Sequence, residues 1–238
     1  MIKTIRSEEQ VLCCVDAEGT LHVRPGLNSL LNAVIEANLY NINQIFLENG
    51  VHNEQGEIVD IDCPVTIIGE SKDGCTIIGG LRVRGKEEDD VNVKHLTISQ
   101  SKGNGVYGYE GMSFHLFHLN IEKSEEDGVY VSNTKRNTMS NCQVSHSKWS
   151  GVVVADGLLT MNGSGTSIHN NVTGGYSRYY GLDTSSTIHI VSPLTKESVS
   201  INNGGGRNYG GPGTIKSIRP PTLKTACCFV GYQCPLHR

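Results

Sequence analysis

Between Val91 and Gly157 the same chemistry returns every 23 residues, and this repeat constrains the fold more than any other feature. Val93, Leu116 and Met139 share one position; Leu96, Leu119 and Cys142 share the next, and Ile98, Ile121 and Val144 a third. Ser101, Ser124 and Ser147 follow, then Gly105, Gly128 and Gly151, then Val106, Val129 and Val152. A period in the twenties means a solenoid, in which each unit buries its apolar face only against its neighbours. The alternation of Leu96/Ile98, Leu119/Ile121 and Cys142/Val144 with polar residues is strand periodicity. The Ser-x-x-x-Gly-Val segment reads as a turn and a second short strand. No stretch inside the repeat has helical spacing. The expected fold is all-β: a single-stranded right-handed parallel β-helix with strands at 91–98, 114–121 and 137–144, and with Val93, Leu116 and Met139 in one interior ladder.

The flanks extend this frame. Residues 11–26 read as an opening strand. Leu30, Leu31, Val34 and Ile35 then fall on one helical face, predicting a capping helix over about 29–37 with Asn28 or Ser29 at its N-cap. Terminal solenoid units need such a cover. Residues 44–52, 64–71 and 75–80 read as further strands. After Gly157 the repeat loosens: Gly151 to Gly181 is 30 residues, so a loop is inserted around Gly174–Tyr180. Residues 187–201 read as a last coil or two and the Gly-rich 202–213 as a loop. The expected organisation is one β-helix domain with its cap over 1–217, and a tail or second cap over 218–238.

The helix Ser-Leu-Leu-x-Ala-Val (29–34), the strand Ile-x-Leu-x-x-Gly-x-His (45–52) and Val-Thr-Ile-Ile-Gly-Glu (65–70) together resemble the N-terminal coils of right-handed β-helix proteins of the pectin-lyase-like superfamily. The resemblance covers about residues 16–211. That superfamily includes polysaccharide lyases, epimerases and the β-helix modules of F-box and spindle-associated proteins, so it implies the fold and leaves the function open. The polygalacturonase pattern of Asn-Thr-Asp, paired Asp, Gly-His-Gly and Arg-Ile-Lys is absent. So are the Gly-Arg-Pro-Trp of pectin methylesterases and the Asp-Pro-His-Asp of alginate epimerases.

Composition narrows the partners. The net charge is −4 with no long charge runs, which argues against nucleic acid or an anionic membrane. No apolar run reaches transmembrane length. The opening MIKTIRSEEQ has no apolar core of a secretory signal, which leans toward the cytoplasm. The spacing of the eight cysteines (13, 14, 63, 75, 142, 227, 228 and 234) fits no zinc motif. Cys142 reads as a small core hydrophobe. Reduced thiols are favoured over a disulfide within the C-terminal trio.

Period two places the outward residues. His95, Thr97 and Ser99, then His118, Asn120 and Glu122, then Asn141, Gln143 and Ser145, with Ser167 and His169 after them, form a polar face. It suits an extended polysaccharide or a protein, or is a solvated solenoid side. Trp149 with Tyr176, Arg178, Tyr179, Tyr180 and Asp183 is either a stacking platform or a tryptophan covered by the inserted loop. The expected ligand residues are His95, His118, Asn120, Glu122, Asn141, Gln143, Trp149 and Tyr179. Asn104 and Asp127, with Glu125 and Glu126, read as local turn residues; some β-helix lyases of the superfamily hold Ca²⁺ with such clusters, and otherwise no cofactor or metal is expected. Glu122, His118, His146 and Arg178 are weak acid, base and cation candidates. The first reading is a non-catalytic module binding polysaccharide or protein along the ladder face. The alternatives are a lyase or epimerase acting on uronate polymers, and a structural surface or coat protein.

Overall fold

The computed structural model describes residues 3–5, 13–205 and 207–220. The chain winds into a parallel β-solenoid of about nine turns with three sides. The first side stacks Leu21–Val23, Gln44–Leu47, Thr66–Gly69, residues 91–94, 113–117 and 137–140, then 158–161, Thr187–Val191 and Thr214–Ile218. The second carries Thr97–Ser99, Asn120–Glu122, Gln143–Ser145 and Ser167–His169 in register. The third carries residues 106–109, 129–132, 152–154 and 182–184. Among the described residues no helix is long and apolar enough to cross a membrane.

The 23-residue positions become interior ladders. Val93 pairs with Leu116 and Leu116 with Met139, all at most 1% exposed. Ile98, Ile121 and Val144 stack on the second side, and Val106, Val129 and Val152 on the third. Cys142 is fully buried, and burial lifts its thiol to about 11, as suits a core hydrophobe.

The expected strands 91–98, 114–121 and 137–144 are each broken by a corner. His95, His118 and Asn141 adopt left-handed backbone, with φ of 56°, 57° and 51°. His and Asn are among the side chains that tolerate this conformation. A second corner column, Gln100, Lys123, His146 and Asn170, does the same at φ of 56–58°. The outward residues therefore lie on two corners and one short strand rather than along a single strand.

Other expectations change. The opening segment is a hairpin, Cys13–Val15 against Leu21–Val23, because Asp16 Oδ1 accepts hydrogen bonds from the amides of Glu18 and Thr20 and turns the chain. The helix runs Ser29–Tyr40 and takes the third side of the first coil. It buries Leu30, Ala33, Val34 and Ala37, while Leu31 and Ile35 face solvent. Its N-terminus is capped by neither Asn28 nor Ser29 but by the buried Glu54 carboxylate, which accepts from the Leu30 amide at 2.9 Å and the Leu31 amide at 3.4 Å. A negative group is favoured there, against the free amides and positive end of the helix. The Gly-rich stretch is not all loop: Arg207–Gly210 pairs with the strand Tyr180–Thr184. The last described strand ends at Ile218, so the expected boundary at 217 falls inside it. Residues 221–238, including Cys227, Cys228 and Cys234, lie outside the described residues; Cys13, Cys14, Cys63, Cys75 and Cys142 are free thiols.

Candidate functional site

The corner between the first and second sides of the ladder face carries two depressions. His95 and His118 sit there one coil apart with their Nδ1 atoms 3.0 Å apart and rings near perpendicular. Phe117, 40% exposed, meets His95 edge to face at 5.3 Å. Desolvation, then the charges of His118 and Lys94, hold the His95 ring below the usual histidine value.

The ridge of His95 and Phe117 separates two depressions. One, of about 450 Å³, is lined by Asn92, Lys94, His115 and Thr138 beside the ridge. The other, of about 500 Å³, is lined by Lys72, His118, Asn141, Gln143 and Gly165 beside it. Among the described residues neither is lined by a carboxylate, although Asp90 Oδ1 lies 3.4 Å from Nε2 of His115, which lines the first. Asn141 Oδ1 accepts from the Gly165 amide at 3.1 Å, which ties that rim to the next coil. Lys72 and Lys94 were missed from sequence. Lys72 precedes the clear repeat, and only the winding of the chain carries it to this corner.

Along the second side, Asn120 Nδ2 reaches Thr97 Oγ1 at 3.4 Å and Asp73 Oδ1 at 3.5 Å, and its buried Oδ1 has no partner. Glu122 accepts from Lys123 Nζ at 2.9 Å and from Ser99 Oγ at 3.2 Å. Gln143 is exposed. Asn120, Glu122 and Gln143 thus stand on the strand beside the corner held by His95, His118 and Asn141.

Trp149 and Tyr179 belong to the opposite corner. Their rings stack at 5.4 Å and 12°, and Trp149 is half-buried, because the inserted loop lays Tyr179 over one of its faces. Arg178 lies 4.8 Å above the Tyr179 ring and donates to the Tyr179 hydroxyl at 2.8 Å. His146 is exposed in the same connection as Trp149, between the second and third sides, with its ring 6.4 Å from that of His169. Among the described residues no hydrogen bond or ion pair joins any two of Glu122, His118, His146 and Arg178.

The turn carboxylates are tied into the scaffold. Asn104 Oδ1 accepts from the Asp127 amide at 3.1 Å, and Asp127 Oδ1 from the Ser150 amide at 2.7 Å, so each coil's turn hangs on the next. Among the described residues no three His, Cys, Asp or Glu side chains converge to hold a metal. Desolvation, with Glu126 and Asp183 nearby, lifts Asp127 to about 7 despite the Ser150 bond. Its folded value lies above the unfolded one. Between about pH 4 and 7 the native chain therefore keeps a proton the unfolded chain has lost, and this group's contribution to stability falls as pH climbs through that window. Asp127→Asn keeps an acceptor for Ser150 and removes the titration. It is expected to match the parent in urea melts at pH 4 and exceed it by about 2 kcal/mol at pH 8. Equal stability at both pH values would show that the buried carboxylate costs nothing.

A search of curated proteins finds no match. The solved structures include a match to the A-module of the mannuronan C-5 epimerase AlgE6 from Azotobacter vinelandii. It is 10% identical, over 81% of this chain and 94% of that one, with a TM-score of 0.29, too slight a likeness to bear on activity. The family model for the right-handed beta helix region matches residues 32–206. That span is most of the chain and coincides with the stacked coils, and the protein belongs to the right-handed beta helix family.

Proposed function

We propose that this protein is a non-catalytic recognition module that holds an extended, negatively charged polysaccharide along the corner between the first and second sides. The observation that carries the reading is the lining of the two depressions: Lys72, Lys94, His95 and His118, with no carboxylate among the described lining residues, on a chain whose net charge is −4. The exposed Phe117 ring adds an apolar contact for a sugar face, which water does not replace. Equivalent positions recur at one strand spacing, about 4.8 Å, close to the rise of a sugar unit, so one polymer meets similar groups on successive coils. Asn120, Gln143 and Glu122 then supply hydrogen bonds beside the corner. Each is weak alone because water competes on an open face.

The test uses uronate oligosaccharides and titration calorimetry. Phe117→Ala and Lys72→Ala are each expected to weaken binding about tenfold, or 1.4 kcal/mol. The melting temperature should barely move, since neither side chain lies in the core. Binding by the parent should also weaken as salt rises. Affinity that ignores both substitutions and salt would sink the proposal. Uronate polymers are expected to yield no unsaturated product absorbing in the ultraviolet; its appearance would favour a lyase.

A further inference from the structure

The two histidines at the corner have a geometry that polysaccharide recognition does not require. We propose that His95 and His118 chelate a first-row divalent cation of the kind imidazole prefers: copper(II), nickel(II) or zinc(II). Two imidazole nitrogens bound to one such ion at about 2.0–2.1 Å stand roughly 2.8–3.4 Å apart for bond angles between square and tetrahedral. The Nδ1 atoms of His95 and His118 are 3.0 Å apart. The chain already holds them at the bite distance of a chelate, so little reorganisation opposes binding.

The backbone sets this distance. Both residues are left-handed corner residues, with φ of 56° and 57°, one coil apart, each at the bend that follows its strand. With no ion, the two Nδ1 atoms lie within hydrogen-bond distance of each other. A neutral imidazole can instead carry its proton on Nε2, which frees both Nδ1 lone pairs for the metal. Two protein ligands leave coordination positions open. These face the depression of about 500 Å³, where Asn141 lies one coil further along the same corner and solvent has access. Lys72 lines that depression too, and its ammonium lowers the affinity for a cation. The site is therefore an open, exchangeable one, unlike the closed four-ligand sites that hold structural zinc.

The column offers its own variants. Asn tolerates this corner, as Asn141 shows, so His118→Asn and His95→Asn each remove one imidazole and preserve the turn. Asn141→His places a third imidazole one coil from the second. Calorimetry with NiCl₂ and ZnCl₂ on the full chain is expected to give one site per chain, weakened at least tenfold by either Asn substitution and tightened at least tenfold by Asn141→His. With one equivalent of CuCl₂, electron paramagnetic resonance should show coupling to two imidazole nitrogens in the parent and one in His118→Asn. Melting temperatures of the Asn variants should match the parent, which separates lost ligation from lost fold. The same affinity in the parent and both Asn variants overturns the proposal, as does no binding by the parent at about 1 mM metal. Neither outcome bears on the uronate titrations, which are run with chelator present.

Discussion

Ile121→Ala is expected to lower stability by about 2–5 kcal/mol, read from the urea midpoint. Ile121 is fully buried and stacked between Ile98 on one coil and Val144 on the next. Its Cγ2 also packs where a Gly105 side chain would stand. Removing three carbons thus opens a void shared by adjacent coils, and hydrogen-bonded strands above and below limit how far the backbone can close it. Glu122, the next residue, points outward and among the described residues its side chain is tied to Lys123 and Ser99. Glu122→Ala is expected to cost less than about 0.5 kcal/mol. Similar losses for the two would mean that this strand is not inside and outside by turns.

The second large effect is Gly128→Ala, expected to cost about 3 kcal/mol, at or above the upper end for an overpacked core. Gly128 is not needed for left-handed backbone. A Cβ there would overlap Val144 Cγ1 and lie 2.6 Å from the Gly151 carbonyl oxygen. The oxygen belongs to the coil-to-coil ladder and cannot swing aside as a side chain would. Gly175→Ala is the comparison: its φ is 72° but nothing lies within 4 Å, so only backbone strain opposes it, about 1 kcal/mol. If Gly175→Ala proves the more damaging, turn conformation, and not the close approach of coils, explains the glycine column.

How legible this was from sequence depended on the range of the physics involved. The solenoid and its inward ladders were readable because a stacked position repeats at a fixed interval and must stay apolar. The corner at His95 had also left a trace, since Val93 and Leu96 are both inward yet three residues apart. Strand alternation allows two, and the extra residue is the left-handed one. The helix was readable, but only half of its buried face was. Leu30 and Val34 are buried as expected. Ala33 and Ala37 join them while the larger Leu31 and Ile35 stay outside, a choice made by the neighbouring coil. Its cap, Glu54, lies 24 residues past Leu30 and obeys no local rule. In the candidate site, the 23-residue step placed His95 above His118 in advance. Of the lysines beside them, Lys94 stands inside the repeat frame next to His95 while Lys72 comes from before it, and the Trp149–Tyr179 stack depends on how an insertion folds back, which periodicity does not encode.

The glycine column bears on how such a chain changes over generations. Gly105, Gly128 and Gly151 each lie where a Cβ would meet an Ile or Val methyl and the next glycine's carbonyl, so successive coils present nearly the same contour to one another. A duplication of 23 codons within this region would create no interface that does not already exist in the molecule. The gene can therefore lengthen or shorten its product by whole layers, and the number of corner positions offered to a ligand can be selected separately from the fold that displays them.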